Sequence, residues 1–166
     1  KGARLGVINI PPRRPALVAA HNAFWEPMIQ KIRDAGATLV DVKFPDFGKE
    51  QVDRSVILKY EFKADLNKYL AERGGKYKTL EELIKFNEEN KDREMPYFGQ
   101  ELFVASQAMG DLSDKNYLDL LAKSLKQTRD EGIDALLTKN NLDALVGPYG
   151  VMVGIAAGAG YPSIIV

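Results

Sequence analysis

The chain has no cysteine, and His21 is its only histidine. Without cysteine, a disulfide scaffold and cysteine-based zinc sites are excluded. A single histidine also disfavours a structural zinc site, and no spaced aspartate loop for calcium or magnesium is present. We therefore predict no metal and no cofactor. His21 falls on the apolar side of a predicted helix, where a half-buried structural histidine is expected rather than a catalytic one.

An excess of either charge is also missing, because 23 lysine and arginine residues balance 23 aspartate and glutamate residues. A neutral chain with mixed charges carries no basic surface for nucleic acid or for an anionic membrane. No apolar run approaches the ~20 residues that span a bilayer. We therefore predict no nucleic-acid partner and no membrane partner. The lack of cysteine fits a cytosolic or an exported protein, and of these two compartments we prefer the cytoplasm.

The five serines are isolated from one another, and no glycine is directly followed by serine. A Gly-x-Ser-x-Gly elbow for a Ser-His-Asp triad is therefore absent. Gly158 and Gly160 suggest a phosphate-binding loop, but they precede a predicted strand and lack the third glycine of a dinucleotide motif. Close packing explains these glycines better. We predict no catalytic residue in this chain.

Apolar runs predict an α/β fold, with a small, mainly parallel sheet flanked by helices. The predicted strands lie near 4–10, 38–43, 143–147 and 163–166. Between the first two strands, apolar residues recur at helical spacing over residues 17–32, which indicates a βαβ unit. Pro27 is expected to kink or divide that helix, and Gly36 is expected to cap it.

The middle of the chain is polar and predicted to be helical. Thr79-Leu-Glu-Glu82 has the pattern of a capping box at the start of one helix. The remaining boundaries predicted here are a helix ending at Gly74 and Gly75, a loop over 90–96, a helix ending at Gly110, a helix capped by Ser113, and an interruption at Gly132. No linker separates these segments, so residues 1–166 are predicted to form one α/β domain.

The last residues carry a resemblance to a known family. Leu142-Asp-Ala-Leu-Val-Gly-Pro148, followed by Ala159-Gly-Tyr-Pro-Ser-Ile-Ile-Val166, resembles the amidase signature family. Further segments agree with that family in the same order, namely residues 1–7, 36–42, 61–70, 79–87, 99–100 and 132–134. The resemblance covers nearly the whole chain, and the agreement of several segments in order makes it specific.

The resemblance implies a hydrolase that acts on carbon-nitrogen amide bonds with a Ser-Ser-Lys mechanism. In that family the nucleophilic serine lies in a Gly-Gly-Ser-Ser-Gly-Gly segment, upstream of the part seen here. We therefore expect a C-terminal portion of an amidase, truncated at both ends, whose partner is the missing N-terminal half. This portion would supply scaffold and part of the pocket for a small amide substrate, and it would be inactive alone.

The resemblance also suggests which residues line that pocket. The candidate substrate-binding residues are Pro148, Tyr149, Gly160, Tyr161 and Pro162. Ala157 stands where many family members have asparagine, which leaves the segment mostly apolar. This composition argues against a small polar amide such as a glutamine side chain.

Two other functions stay open at this point. One is the amidase subunit of a tRNA-dependent amidotransferase, and the other is a non-catalytic α/β binding or interaction module. We also expect possible self-association of the chain, because an unpaired strand edge near residues 163–166 can recruit another chain. A two-fold dimer is the commonest such arrangement.

Overall fold

A computed structural model describes residues 2–165, apart from the side chains of Tyr149 and Val151. The elements are β1 (Arg4–Val7), α1 (Val18–Asp34), β2 (Thr38–Asp41), α2 (Arg54–Arg73), α3 (Leu80–Glu89), α4 (Lys91–Glu94), α5 (Glu101–Gln107), α6 (Lys115–Leu125), a π-helical segment (Lys126–Asp134), α7 (Ala135–Asn140), β3 (Ala144–Val146) and α8 (Tyr149–Ala159). They divide into two compact units, one formed by Lys1–Gln51 with Ser124–Val166 and one by Val52–Lys123. The single domain that we expected from the sequence stays a prediction.

The first unit contains a three-stranded sheet in the order β2-β1-β3. Both pairs are parallel, with Leu5 opposite Leu39 on one side and opposite Ala144 on the other. The predicted α/β class and the small parallel sheet are therefore confirmed. Each strand is shorter than predicted. The ladder of β1 ends at Val7, before Asn9 and the prolines that follow it.

The central strand β1 is packed too closely to carry a side chain at Gly6. A Cβ atom there would lie 2.6 Å from Leu142 Cδ1 and 2.8 Å from Leu145 Cδ2. Arg4, at the start of the same strand, binds the end of α7, since its Nε donates to the Asn141 carbonyl at 3.1 Å. Its backbone N–H donates to Asp143 Oδ2 at 2.7 Å. These contacts fix the register between β1 and β3.

The helix α1 runs through Pro27 without a break, so the predicted division of this helix is wrong. Its end is as predicted. Gly36 has a φ of 90°, and its N–H donates to the Arg33 carbonyl at 2.9 Å, while Ala37 donates to the Ile32 carbonyl at 3.4 Å. This pair of bonds is a Schellman motif, which requires the left-handed backbone that glycine adopts without strain.

The α-helix is interrupted around Gly132, as predicted, but by a π-helical segment between α6 and α7, so the chain stays helical through the glycine. Gly132 is buried within the π-helical segment. A Cβ atom on Gly132 would lie 2.5 Å from Phe44 Cζ, so the glycine makes room for an aromatic ring. Beside it, Ile133, Ile155 and Ala159 form the apolar cluster that joins the π-helical segment to α8.

The predicted fourth strand is not formed in the part of the chain that the structure describes. Residues 163–165 have no strand pairing, and Val166 lies outside the described residues. Ile164 is 88% exposed and Ile165 is 67% exposed. A strand is stable only beside a hydrogen-bonding neighbour, and β3 pairs only with β1 in the described sheet.

The second unit is helical, and its core lies between α2 and α6. Val52, Ile57, Tyr60 and Tyr117 are buried together. The Tyr60 hydroxyl donates to Asp114 Oδ2 at 3.0 Å, and the Tyr117 hydroxyl donates to Glu61 Oε1 at 3.0 Å. Burial, followed by this hydrogen bond to Glu61, raises the pKa of Tyr117. Each buried phenol therefore has a carboxylate partner, as buried hydroxyl groups require.

Two boundaries in this unit differ from the prediction. Asp114 rather than Ser113 precedes α6, and Asp114 Oδ1 accepts the backbone N–H of Asn116 at 2.9 Å. The Ser113 hydroxyl instead donates to Asp111 Oδ1, and this bond lowers the pKa of Asp111. The predicted loop over 90–96 contains the short helix α4.

The start of α3 is as predicted. Glu82 N–H donates to Thr79 Oγ1 at 3.2 Å, while Thr79 N–H donates back to Glu82 Oε2 at 3.1 Å. A third link comes from α2, where Asn67 Oδ1 accepts the backbone N–H of Leu80 at 2.7 Å. The first turn of α3 is therefore held by three side chains, and Leu80 is fully buried.

We expect Thr79→Ala to lower the free energy of unfolding by about 0.5–2 kcal/mol, because it removes the N-cap acceptor. Urea denaturation followed by circular dichroism measures this change. Thr138→Ala is the matched control, since Thr138 is exposed within α7. Equal midpoints for the two variants would contradict a stabilising role for the capping box.

Candidate functional site

The order of the strands marks one edge of the sheet as a place where a ligand can bind. The chain passes from β1 to β2 on one side of β1 and later to β3 on the other side. In open parallel sheets, ligands bind outside the carboxyl ends of the strands at the point where the strand order reverses. In this sheet that point lies where β1 and β3 end side by side.

The carboxyl ends of these two strands stay in contact beyond the sheet. The Ile8 N–H donates to the Val146 carbonyl at 2.8 Å. A Cβ atom on Gly147 would lie 2.5 Å from Met152 Cγ and 3.2 Å from the Ile8 carbonyl oxygen. Gly147 therefore lets β3 turn directly into α8, close against the residue that follows β1.

Two polar side chains and one aromatic ring meet at this edge. Asn9 follows Ile8 and is exposed. Its Oδ1 accepts a hydrogen bond from His21 Nε2 at 3.3 Å, and the His21 ring stacks on Trp25 with ring centroids 6.0 Å apart. His21 is half-buried, as the sequence predicted. Sequence reasoning missed Asn9, although a polar residue directly after a buried parallel strand is a usable signal.

Pro148 and Tyr149 lie at this edge as well. Pro148 precedes α8 with extended backbone angles (φ −61°, ψ 136°), and Tyr149 is the first residue of the helix. The Tyr149 side chain lies outside the described part of the chain. Pro148 thus lies at the start of a helix.

The other three candidate residues lie at the opposite end of α8. Gly160 has a φ of 72°, and its N–H donates to the Ala157 carbonyl at 3.3 Å. Tyr161 N–H donates to the Ala156 carbonyl at 3.0 Å, which completes a Schellman motif. Pro162 follows and is exposed.

The side chain of Tyr161 is also fixed. Its hydroxyl donates to Asp134 Oδ1 at 2.5 Å, and this hydrogen bond is the main cause that raises the pKa of Tyr161. Asp134 ends the π-helical segment. The turn after α8 is therefore tied to that segment by a side chain as well as by the packing of Ile155 and Ala159.

The structure does not bring the five candidate residues together. α8 has 11 residues, which at 1.5 Å per residue separates its two ends by about 16 Å. Pro148 and Tyr149 share an edge with Asn9, whereas Gly160, Tyr161 and Pro162 do not. Their role in substrate binding stays a prediction.

Several residues that carried the family resemblance in the second unit have structural contacts. Lys63 Nζ donates to the Met109 carbonyl at 2.5 Å. Gln100 Nε2 donates to the Ile84 carbonyl at 3.1 Å, and Gln100 Oε1 accepts from Asn87 Nδ2 at 3.2 Å. Together with Glu61 and Asn67, these side chains connect the helices of the second unit. The resemblance of these residues to the family therefore reflects the way the helices pack together.

The described residues contain no group of three or more histidine, aspartate or glutamate side chains that could hold a metal ion. None of the helices within residues 2–165 combines the length and the apolar character that a membrane-spanning segment requires.

Comparison with known proteins gives one consistent relationship, although no family model matches the chain. A probable amidase of Arabidopsis thaliana is 29% identical over 171 residues, covering 99% of this chain and 31% of that protein. The native peptide amidase from Stenotrophomonas maltophilia is 31% identical with a TM-score of 0.78, covering 96% of this chain and 35% of that chain. An amidase family protein from Bacillus anthracis is 29% identical with a TM-score of 0.76, covering 96% and 30%.

The chain thus has the fold of a segment of an amidase, and the resemblance predicted from its sequence is confirmed over nearly its whole length. It spans about a third of the length of these relatives.

Proposed function

We propose that this chain is the C-terminal part of an amidase that hydrolyses carbon-nitrogen amide bonds. The chain supplies scaffold and part of the substrate pocket, and the missing N-terminal half supplies the nucleophile. The observation that carries this proposal is the similarity to amidases over 99% of the chain. These relatives are named amidases and peptide amidases, which favours an amidase over an amidotransferase subunit or a non-catalytic module.

The serines support the absence of a nucleophile from this chain. Ser106 and Ser124 are buried. Ser113 binds Asp111, and the N–H of Ser55 donates to Asp53 at the start of α2. Ser163 is exposed. The Ser-Ser-Lys mechanism requires a second serine beside the nucleophile, and no two of the five serines are neighbours in the sequence.

The carboxyl edge of the sheet, formed by Asn9, Gly147 and Pro148, is the evidence that this chain supplies part of the substrate pocket. It joins the switch point of the sheet to the mostly apolar helix α8. A peptide amidase that is 34% identical, with a TM-score of 0.77, has been solved with the competitive inhibitor chymostatin. Likeness to peptide amidases agrees with an apolar lining and favours a peptide-like amide over a small polar one.

A chimera tests this function. The matching third of the Stenotrophomonas peptide amidase is replaced by residues 1–166, and hydrolysis of a peptide amide is measured. We expect turnover by the chimera, none by the isolated chain, and none by a chimera whose host nucleophile is changed to alanine, since losing a nucleophile costs orders of magnitude in rate. A folded chimera that is no faster than its alanine variant would contradict the proposal. Turnover by the isolated chain that disappears in Ser163→Ala would contradict it too.

Self-association belongs to the same proposal. β3 pairs on one side only within the described sheet, and Ile164 and Ile165 are largely exposed. Unpaired strand edges and exposed apolar residues recruit other chains.

We expect the isolated chain to form a dimer whose fraction rises with concentration and does not depend on salt, because apolar burial drives it. Sedimentation velocity measures this fraction. Ile164→Lys weakens the dimer, while Leu58→Lys, at an exposed position on α2, leaves it unchanged. A monomer at every concentration would contradict this expectation.

A further inference from the structure

We infer that Asn9 is a substrate-binding residue that donates a hydrogen bond to the carbonyl oxygen of the amide, and that His21 is the residue that positions it. This inference rests on the proposed function, because it assigns a donor to the amide pocket. Neither residue was a candidate from the sequence.

The position of Asn9 is the first argument. Ile8, the residue that follows β1, still donates its N–H to the Val146 carbonyl at 2.8 Å. Asn9 is therefore the first side chain beyond the sheet at the point where the strand order reverses. Gly147 lies against Ile8, so the residues that follow β1 and β3 leave the sheet side by side. This is where parallel sheets bind their ligands.

The chemistry of the Asn9–His21 hydrogen bond is the second argument. A carbonyl oxygen such as Asn9 Oδ1 can only accept, so His21 Nε2 carries the proton and donates it. This bond fixes which way the amide of Asn9 points. Within the described residues, Asn9 Nδ2 donates a hydrogen bond to no group. Asn9 is exposed, so both N–H bonds of its amide are available as donors, and their complement is an acceptor such as an amide carbonyl oxygen.

His21 is itself held in place. It belongs to α1, its ring stacks on Trp25 with an interplanar angle of 16°, and it is half-buried. A ring restrained in this way holds Asn9 in one rotamer before a ligand arrives. Prior restraint of a binding group lowers the entropy cost of binding, which is how His21 acts through Asn9 without touching the ligand.

The chain offers unique signals for the test, because His21 is its only histidine and Trp25 its only tryptophan. The 166-residue chain is titrated with acetamide, and the NMR signals of the His21 and Trp25 rings are followed. We expect a saturating shift of both rings. Asn9→Leu removes the donor and Asn9→Asp replaces it with an acceptor, and each weakens binding about two- to tenfold, the range of one hydrogen bond.

Asn116→Leu is the matched control for Asn9→Leu, since Asn116 is exposed in the second unit. The control must bind acetamide as the unmodified chain does. Unchanged affinity in Asn9→Leu, or no saturating shift in the unmodified chain, would overturn the inference.

The role of His21 has its own readout. His21→Gln retains a donor at the position of Nε2, so it should bind acetamide normally, whereas His21→Phe retains the stacking alone and should lose as much affinity as Asn9→Leu. The Trp25 signal reports binding in both variants. Equal affinities of the two variants would show that the hydrogen bond to Asn9 does not position it.

The chimera separates failure of this inference from failure of the proposed function. An active chimera whose KM is unchanged by Asn9→Leu would refute the role of Asn9 and leave the amidase assignment intact. A KM raised by Asn9→Leu, at similar kcat, supports the inference. If the chimera is folded and inactive, the proposed function fails, and the acetamide titration still decides whether Asn9 binds a carbonyl.

Discussion

The rest of the first unit depends on the two parallel ladders of β1. Parallel neighbours cannot be joined by a tight hairpin, so each return to the starting edge of the sheet needs a long crossover. The segment that contains α1 provides one crossover, and the whole second unit lies in the chain between β2 and β3. This arrangement requires glycine at position 6, because leucine side chains pack where a Cβ atom of that residue would be. The same pairing places Asn9 and Gly147 next to each other, which creates the candidate site.

Polar side chains do much of the connecting in both units. Arg4 binds the carbonyl groups at the end of α7, Asn67 and Thr79 bind the start of α3, and Gln100 bridges α3 and the start of α5. The bonds made by Arg4, Asn67 and Thr79 satisfy backbone groups that a helix end leaves without a partner. The bond made by Gln100 goes to the Ile84 carbonyl within α3. Such residues look functional in a sequence because they are polar and regularly spaced. In the second unit their contacts are within the fold, so the carboxyl edge of the sheet is the place where we propose that a ligand binds.

Local patterns predicted the capping box at Thr79 and the glycine cap at Gly36, because each depends on neighbours within a few residues. The apolar runs of β1, β2 and β3 were predicted as strands as well, and each of them has a pairing partner in the sheet. The features that were missed depend on distant partners. Gly132 resembles a helix breaker until Phe44 is known to pack on it, and the glycine-rich α8 forms because Ile133 and other apolar residues bury it. The fourth strand failed for the same reason, since an apolar run needs a neighbour to become a strand. The candidate site was only partly predicted, because helix α8 separates Pro148 from the turn that follows it.

The central proposal is that the chain is part of an amidase whose nucleophile lies outside residues 1–166. The most direct measurement is the sequence of the reading frame upstream of Lys1. The resemblance to amidases predicts a Gly-Gly-Ser-Ser-Gly-Gly segment there, with a lysine before it. An upstream frame that continues for the length of an amidase without a Ser-Ser pair between glycines would contradict the claim, and the non-catalytic module would then become the better description.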